Sequence, residues 1–205
     1  DNTLKSLNVY NNEQNFALTP DFDSNVTEYD LTVENDINYV NVLATKNNNL
    51  ATVTGNGRYN LQVGNNEINI TVKSEDGNIN TYKIVIVRKP NSNAYLSSIT
   101  SSVGSINELY DKTSSGPYTI IVPHNVKKVT IEGIPEVTTT TVTGNNSYDL
   151  VTGNNPVTLT TLAEDGTSSM TYNLTIIKEI STVNTLDDLY MEEGTLSPSF
   201  TSEED

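Results

Sequence analysis

The chain has 205 residues and a mass of 22.4 kDa, too long for one ordinary sandwich domain and too short for three, which favours two compact units of about 90 residues. Only 11 Lys and Arg face 26 Asp and Glu, a net charge of −15 with a pI near 4.2, so a nucleic-acid partner is not expected, because phosphate neutralisation needs clustered cations. With no cysteine and a single histidine, Cys/His zinc sites, disulfide frameworks, haem and iron–sulfur ligation are set aside and no cofactor is expected; no apolar run approaches the ~18 residues that cross a bilayer, so this segment is not expected to insert into a membrane.

The chain opens at Asp1 on a polar stretch with no visible signal peptide, as expected of a leader already removed or a piece of a longer protein. Leu4 and Leu7 lie on an opening strand. Tyr29, Leu31 and Val33 then alternate with Asp30 and Thr32, the period of a strand with one buried face. Ile68, Ile70 and Val72 repeat that pattern, and Glu75-Asp76-Gly77-Asn78 follows, where Asp76-Gly77 predicts a tight hairpin because glycine takes positive φ freely. Tyr82, Ile84 and Ile86 form the returning strand.

Lys89-Pro90-Asn91-Ser92-Asn93 is a polar break whose proline cannot extend a central strand. Beyond it the pattern restarts. Leu96 and Ile99 match Leu4 and Leu7, Tyr118 matches Tyr29, and Val157 and Leu159 lead through the Asp165-Gly166 hairpin to Tyr172, Leu174 and Ile176. Thr52-Val53-Thr54-Gly55-Asn56 recurs as Thr141-Val142-Thr143-Gly144-Asn145, Gly64-Asn65-Asn66 as Gly153-Asn154-Asn155, and Glu75-Asp76-Gly77 as Glu164-Asp165-Gly166, all at one offset. Thr161 is the local misfit, standing where Val72 predicts an apolar residue.

The inward parities place Leu4, Leu7, Tyr29, Leu31, Ile68, Ile70, Tyr82 and Ile84 in one core and Leu96, Ile99, Tyr118, Leu159, Tyr172 and Leu174 in another. No stretch carries a helical period. The expected class is therefore all-β: two tandem immunoglobulin-like antiparallel sandwiches over residues 1–90 and 91–180, each of about seven strands. Residues 181–205 carry seven acids and no base; Leu186 and Leu189 have the spacing of Leu4 and Leu7, and Leu196-Ser197-Pro198-Ser199-Phe200 echoes Leu18-Thr19-Pro20-Asp21-Phe22. They are expected to be the truncated start of a third repeat, extended and attached to an open strand edge near 184–190.

In order, the chain shows Leu4/Leu7, Leu18-Pro20-Phe22, Tyr29, Ala51-Val53-Gly55, the turn Leu61-Gly64-Asn65, Asp76-Gly77 and Tyr82-Ile84-Ile86-Arg88. This succession resembles the bacterial cadherin-like β-sandwich repeat over residues 4–88, and more loosely over 96–178, where Pro-x-Phe is missing and Lys178 stands at the Arg88 position. Such repeats occur in tandem in large secreted and surface proteins. The resemblance implies an extracellular, non-catalytic spacer or adhesion module of a bacterial surface or secreted protein, partnered by adjacent repeats, with host or cell-wall glycans and matrix proteins as candidate ligands. The alternative is a carbohydrate-binding accessory module of a secreted glycan-active enzyme.

Other chemistry is weaker in the sequence. Calcium of the cadherin kind needs six to eight oxygen ligands at the domain border, whereas Arg88-Lys89-Pro90-Asn91-Ser92-Asn93 offers two cations and no carboxylate. Asp21, Asp23, Glu34 and Asp36 read as solvated surface acids. His124, in Val122-Pro123-His124-Asn125, has no nucleophile elbow beside it, and Glu75-Asp76 and Glu164-Asp165 lie in turns rather than across a cleft. An enzyme is not expected. Tyr10, Tyr39, Tyr59, Tyr110 and Tyr148 are the surface aromatics that a sugar platform would draw on.

Overall fold

The computed structural model describes residues 1–181. Among them there is no helix, and fifteen strands follow in order: β1 (Leu4–Tyr10), β2 (Asn15–Phe16), β3 (Glu28–Val33), β4 (Tyr39–Lys46), β5 (Thr52–Thr54), β6 (Gly57–Asn60), β7 (Gly64–Lys73), β8 (Ile79–Arg88), β9 (Leu96–Ser101), β10 (Tyr118–Val122), β11 (Lys128–Pro135), β12 (Thr141–Thr143), β13 (Asn146–Asp149), β14 (Gly153–Leu162) and β15 (Ser169–Lys178). Contacts group them into two compact units, one of Asp1–Asn93 with Ala163–Ser168, the other of Ala94–Leu162 with the described residues from Ser169 onward. The expected third opening at 182–205 lies outside the described residues.

In the first unit the sheet β2-β1-β4-β6 faces the sheet β3-β8-β7-β5. In the second, β13-β11-β9 faces β10-β15-β14-β12. Alternation decides which side chains meet between the sheets: β3 reads exposed-buried three times over, and β14 buries Val157, Leu159 and Thr161. Leu4, Leu7, Tyr29, Leu31, Ile68, Ile70, Tyr82 and Ile84 are all buried in the first core, and Leu96, Tyr118, Leu159, Tyr172 and Leu174 in the second. Ile99 is half-buried, because β9 is an edge strand and only part of that side chain reaches the core.

Two features differ from the sequence expectation. The sheets are not wholly antiparallel: β3 runs parallel to β8, with Tyr29 opposite Ile84, and β10 parallel to β15, with Tyr118 opposite Leu174. Short turns dictate antiparallel pairing only between strands they join, and these partners lie some fifty residues apart with no turn between them. The hairpins are also wider than a two-residue turn. Ser74 N–H donates to Asn78 O at 2.9 Å, closing a five-residue loop in which Gly77 holds φ at +90°, while the counterpart closes from Ala163 N–H to Ser168 O at 2.8 Å. The extra residue in the second hairpin turns the offset of 89 between repeats into the 90 that separates Tyr82 from Tyr172.

Thr161 is fully buried where Val72 sits in the first unit, and its hydroxyl donates to the Ala94 carbonyl while accepting from Met170 N–H at 3.2 Å. The misfit in the apolar pattern is thus a satisfied buried polar group that ties the start of the second unit to its central strands. Thr161→Val keeps the shape and gains apolar surface, yet it deprives a buried carbonyl of its donor. Thermal or urea unfolding is expected to show a net loss of about 1 kcal/mol for this variant; a gain would show that the hydroxyl adds nothing.

Candidate functional site

Each unit passes its chain from one sheet to the other five times, since consecutive strands β2 to β7 alternate sheets and β9 to β14 do likewise. At every such crossing the backbone leaves its ladder, and its N–H and C=O groups need other partners. In the first unit each crossing is served by polar side chains. Between β2 and β3, the Tyr82 hydroxyl donates to Ser24 O at 2.6 Å while accepting from Leu4 N–H at 3.1 Å, and the Tyr29 hydroxyl donates to Asp23 O at 2.7 Å. Between β3 and β4, the Arg88 guanidinium donates to Asn35 O at 2.6 and 2.9 Å and to Leu61 O at 2.9 Å.

Between β4 and β5, the Lys46 ammonium donates to Asn49 O and Ala51 O, both at 2.7 Å. Between β5 and β6, the Asn56 amide accepts from Ala44 N–H at 2.7 Å and donates to Ala44 O at 2.9 Å, so it pairs with β4 as a strand residue would. Between β6 and β7, the Asn66 amide accepts from Gln62 N–H at 2.8 Å and reaches Gln62 O, Gly64 O and Ile86 O. The sequence motif pointed to Asn65 in this turn; Asn65 is exposed, and its neighbour Asn66 makes the bonds.

Three of these clasps recur in the second unit. The Tyr172 hydroxyl bridges Lys112 O (2.7 Å) and Leu96 N–H (3.1 Å), with Tyr118 on Asp111 O (2.7 Å); Asn145 pairs with Gly133 N–H (2.7 Å); Asn155 accepts from Val151 N–H (2.9 Å) and reaches Ile176 O. The other two positions have changed, with Lys178 at the place of Arg88 and Pro135, which has no side-chain donor, at that of Lys46.

The tyrosines expected on the surface are mostly structural. Tyr59 and Tyr148 are half-buried with their hydroxyls on Gly55 O and Gly144 O, and Tyr110 donates to Leu96 O at 2.8 Å while packing 5.6 Å from the Tyr118 ring and 6.3 Å from the Tyr172 ring. Burial, with Tyr172 beside it, holds the Tyr110 hydroxyl well above the usual phenol range. Tyr10 and Tyr39 are half-buried, and Arg58 covers the Tyr39 ring at 3.7 Å. A platform of adjacent exposed rings is therefore not what these five residues build. Alternation alone could not reveal this, because hydroxyl-to-carbonyl bonds have no signature in the apolar pattern.

Hollows mark the surface of the described residues. One of about 690 Å³ lies in the first unit among Lys5, Ser6, Thr45, Lys46, Asn49 and Asn56, where β4 runs beyond its pairing with β6. It is lined by two of the clasps just described. A second of about 380 Å³ sits by Asn11, Asp36 and Tyr39, and a third of about 410 Å³ by Ser97, Leu109 and Tyr110 in the second unit.

The remaining chemical candidates stay apart. His124 is exposed on the turn after β10. Asp23 caps its own loop through Asn25 N–H (2.8 Å), and Glu34 pairs with Lys89 (2.6 Å). No group of three or more His, Asp or Glu side chains close enough to hold a metal occurs among the described residues. In the acidic pairs Asp76 and Asp165 each hold their own turn: Asp76 accepts from Ser74, and Asp165 accepts from Ser168 Oγ at 2.6 Å and from Thr167 and Ser168 N–H, while Glu164 accepts from Asn91 N–H at 2.8 Å. Those bonds, the Ser168 hydroxyl first, pull Asp165 down to about 2. No helix among the described residues is long and apolar enough to cross a membrane.

A family model described as a cadherin-like beta sandwich domain matches the chain twice, over residues 4–89 and 96–179. No curated protein matches the sequence. Among solved structures the chain is similar to extracellular cadherin domains 3–6 of protocadherin gamma B2, at 14% identity and a TM-score of 0.34 over 78% of this chain and 47% of that one. It is also similar to the human desmocollin-1 ectodomain, at 12% identity and a TM-score of 0.26 over 83% and 43% of the two chains. Fibronectin(III)-like modules of Clostridium thermocellum CbhA match at 10% identity and a TM-score of 0.23 over 80% and 94%. The chain thus spans less than half the length of the two cadherin ectodomain chains.

Arg88→Ala strips two charge-assisted donors from Asn35, between β3 and β4, and a third from Leu61, between β6 and β7. The first unit is expected to lose about 2 kcal/mol in urea unfolding, and Arg88→Lys, which copies the second unit, recovers only part because an ammonium cannot reach both carbonyls in a fork. Asp165 supplies a pH test. Its folded-state acidity lies below the unfolded value of 3.8, so its stabilisation is complete above about pH 4 and lost as pH falls towards 2. Unfolding measured across that window is expected to show a shallower acid limb for Asp165→Asn.

Proposed function

Because the chain belongs to the cadherin-like beta sandwich domain family, a domain type typical of adhesion and structural modules, we propose that it is a non-catalytic extracellular segment of a bacterial surface or secreted protein, a spacer or adhesion module. The observation that carries this reading is where each unit receives and releases its chain. Leu4, at the start of β1, is bonded to Tyr82 near the start of β8, whereas Arg88, at the end of β8, is bonded to Asn35 and Leu61 at the far end of that ten-residue strand. The second unit repeats the plan, Leu96 on Tyr172 and Lys178 opposite Gly153.

A domain entered at one end and left at the other can be strung in series, and a pull on its termini shears β1 and β8 lengthwise through the core between the sheets. That is the loading geometry a tether needs. The clasps repeated between the units support the same reading, since what the two copies share is what closes the fold, while the surface positions around them differ.

Stretching single molecules of the full chain is expected to give two separate unfolding events, each lengthening the chain by about 270 Å, the extended length of roughly 85 residues less the folded span. A single event, or extension without resistance, would contradict the tether. A parallel screen against glycans and matrix proteins decides the ligand question: absence of saturable binding fits a spacer, matrix-protein binding an adhesin, and saturable glycan binding the carbohydrate-binding alternative.

A further inference from the structure

Asn56-Gly57 is the only Asn-Gly pair in the 205 residues, although asparagine occurs 29 times. It falls on the clasp between β5 and β6. A glycine after asparagine leaves the next backbone nitrogen unobstructed, and here nothing stands within 4 Å of where a Gly57 side chain would be. The fold, however, holds both partners of the reaction that such a pair undergoes. The side-chain carbonyl and amide of Asn56 are both bonded to Ala44, and Gly57 begins β6 opposite Val42 of β4. The repeat carries Asn145-Asn146 at the same place, with the same clasp on Gly133 and no glycine following.

We propose that Asn56 is a spontaneous modification site that the folded first unit keeps closed. When the crossing opens, the Gly57 nitrogen attacks the Asn56 side-chain carbonyl carbon, a C–N bond forms, and ammonia leaves with the amide nitrogen and the proton lost from Gly57. Water then opens the resulting cyclic imide at either carbonyl, giving aspartate or isoaspartate; the net change is amide plus water to acid plus ammonia, with no oxidant or reductant. The product cannot rebuild the clasp. Its carboxylate still accepts from Ala44 N–H but presents an oxygen, not a donor, to the Ala44 carbonyl, and isoaspartate also lengthens the backbone where β6 must meet β4. Opening of the first unit, by heat or by tension, thereby leaves a deamidation mark at Asn56 well before the equivalent Asn145 of the second unit acquires one.

The test incubates the full chain in mildly alkaline buffer with and without denaturing urea and follows the acid product at each asparagine by peptide mass spectrometry, with enzymatic methyl labelling to detect isoaspartate. In urea, Asn56 is expected to convert at least about tenfold faster than Asn145, and Gly57→Asn, which installs the residue of the second unit, to remove that difference. In the folded chain, conversion at Asn56 is expected to be at least about tenfold slower than in urea, following the population of the open crossing. Asn56→Asp is expected to lower the unfolding midpoint of the first unit and leave that of the second in place. Equal rates at Asn56 with and without urea, a faster asparagine elsewhere in the unfolded chain, or an unchanged midpoint for Asn56→Asp would each overturn the proposal.

Discussion

A β-sandwich cannot satisfy its backbone by ladders alone, because every passage from one sheet to the other takes peptide groups out of both. In this protein that constraint is met side chain by side chain, and the rest of the structure depends on it. Tyr82 ties the first strand and the Ser24 loop together, Arg88 secures the chain between β3 and β4, Lys46 the next passage, and Asn56 and Asn66 the two that follow. A buried polar group without a partner costs about 1–3 kcal/mol, a large fraction of the stability of a domain of this size. Such clasps therefore determine which crossings are tolerated at all.

The clasps in turn dictate the small residues beside them. Gly55 holds φ at +99°, and a Cβ there would lie 2.5 Å from the Asn69 carbonyl oxygen, so only glycine lets the chain turn closely enough for Asn56 to reach Ala44. Gly144 occupies the same place with φ at +100° before Asn145. The two units share this pair, along with the tyrosine and Asn66/Asn155 clasps, and differ at other positions. Where the first uses Arg88 and Lys46, the second has Lys178 and Pro135; where the first buries Val72, the second buries Thr161 and uses its hydroxyl to hold Ala94. Two similar repeats thus hold one framework together by different local chemistry.

That division of labour suits a structural module. Residues that two repeats share through the framework are engaged in closing the fold, and three of the five tyrosines that sequence placed on the surface, Tyr59, Tyr110 and Tyr148, brace the backbone. The same reliance on asparagine carries a chemical liability, concentrated where one of the clasps is followed by glycine.

Much of the fold was legible in the sequence because it rests on period and repetition. Alternation at Ile68-Ile70-Val72 and Tyr82-Ile84-Ile86, the offset of 89 and the break at Pro90 determined an all-β chain with two cores and named the residues that fill them. Those signals are local, since burial on one face of a strand imposes its pattern on neighbours two residues apart. Only the tertiary structure decided the parallel pairing of β3 with β8, the width of the hairpins, the use of Asn66 rather than Asn65, and the engagement of Tyr59, Tyr110 and Tyr148. Each depends on a bond between groups brought together by the sheets, or on loop closure set by a hydrogen bond several residues away. A hydrogen bond needs a direction and a partner in space, and neither is written in the spacing of residues along the chain.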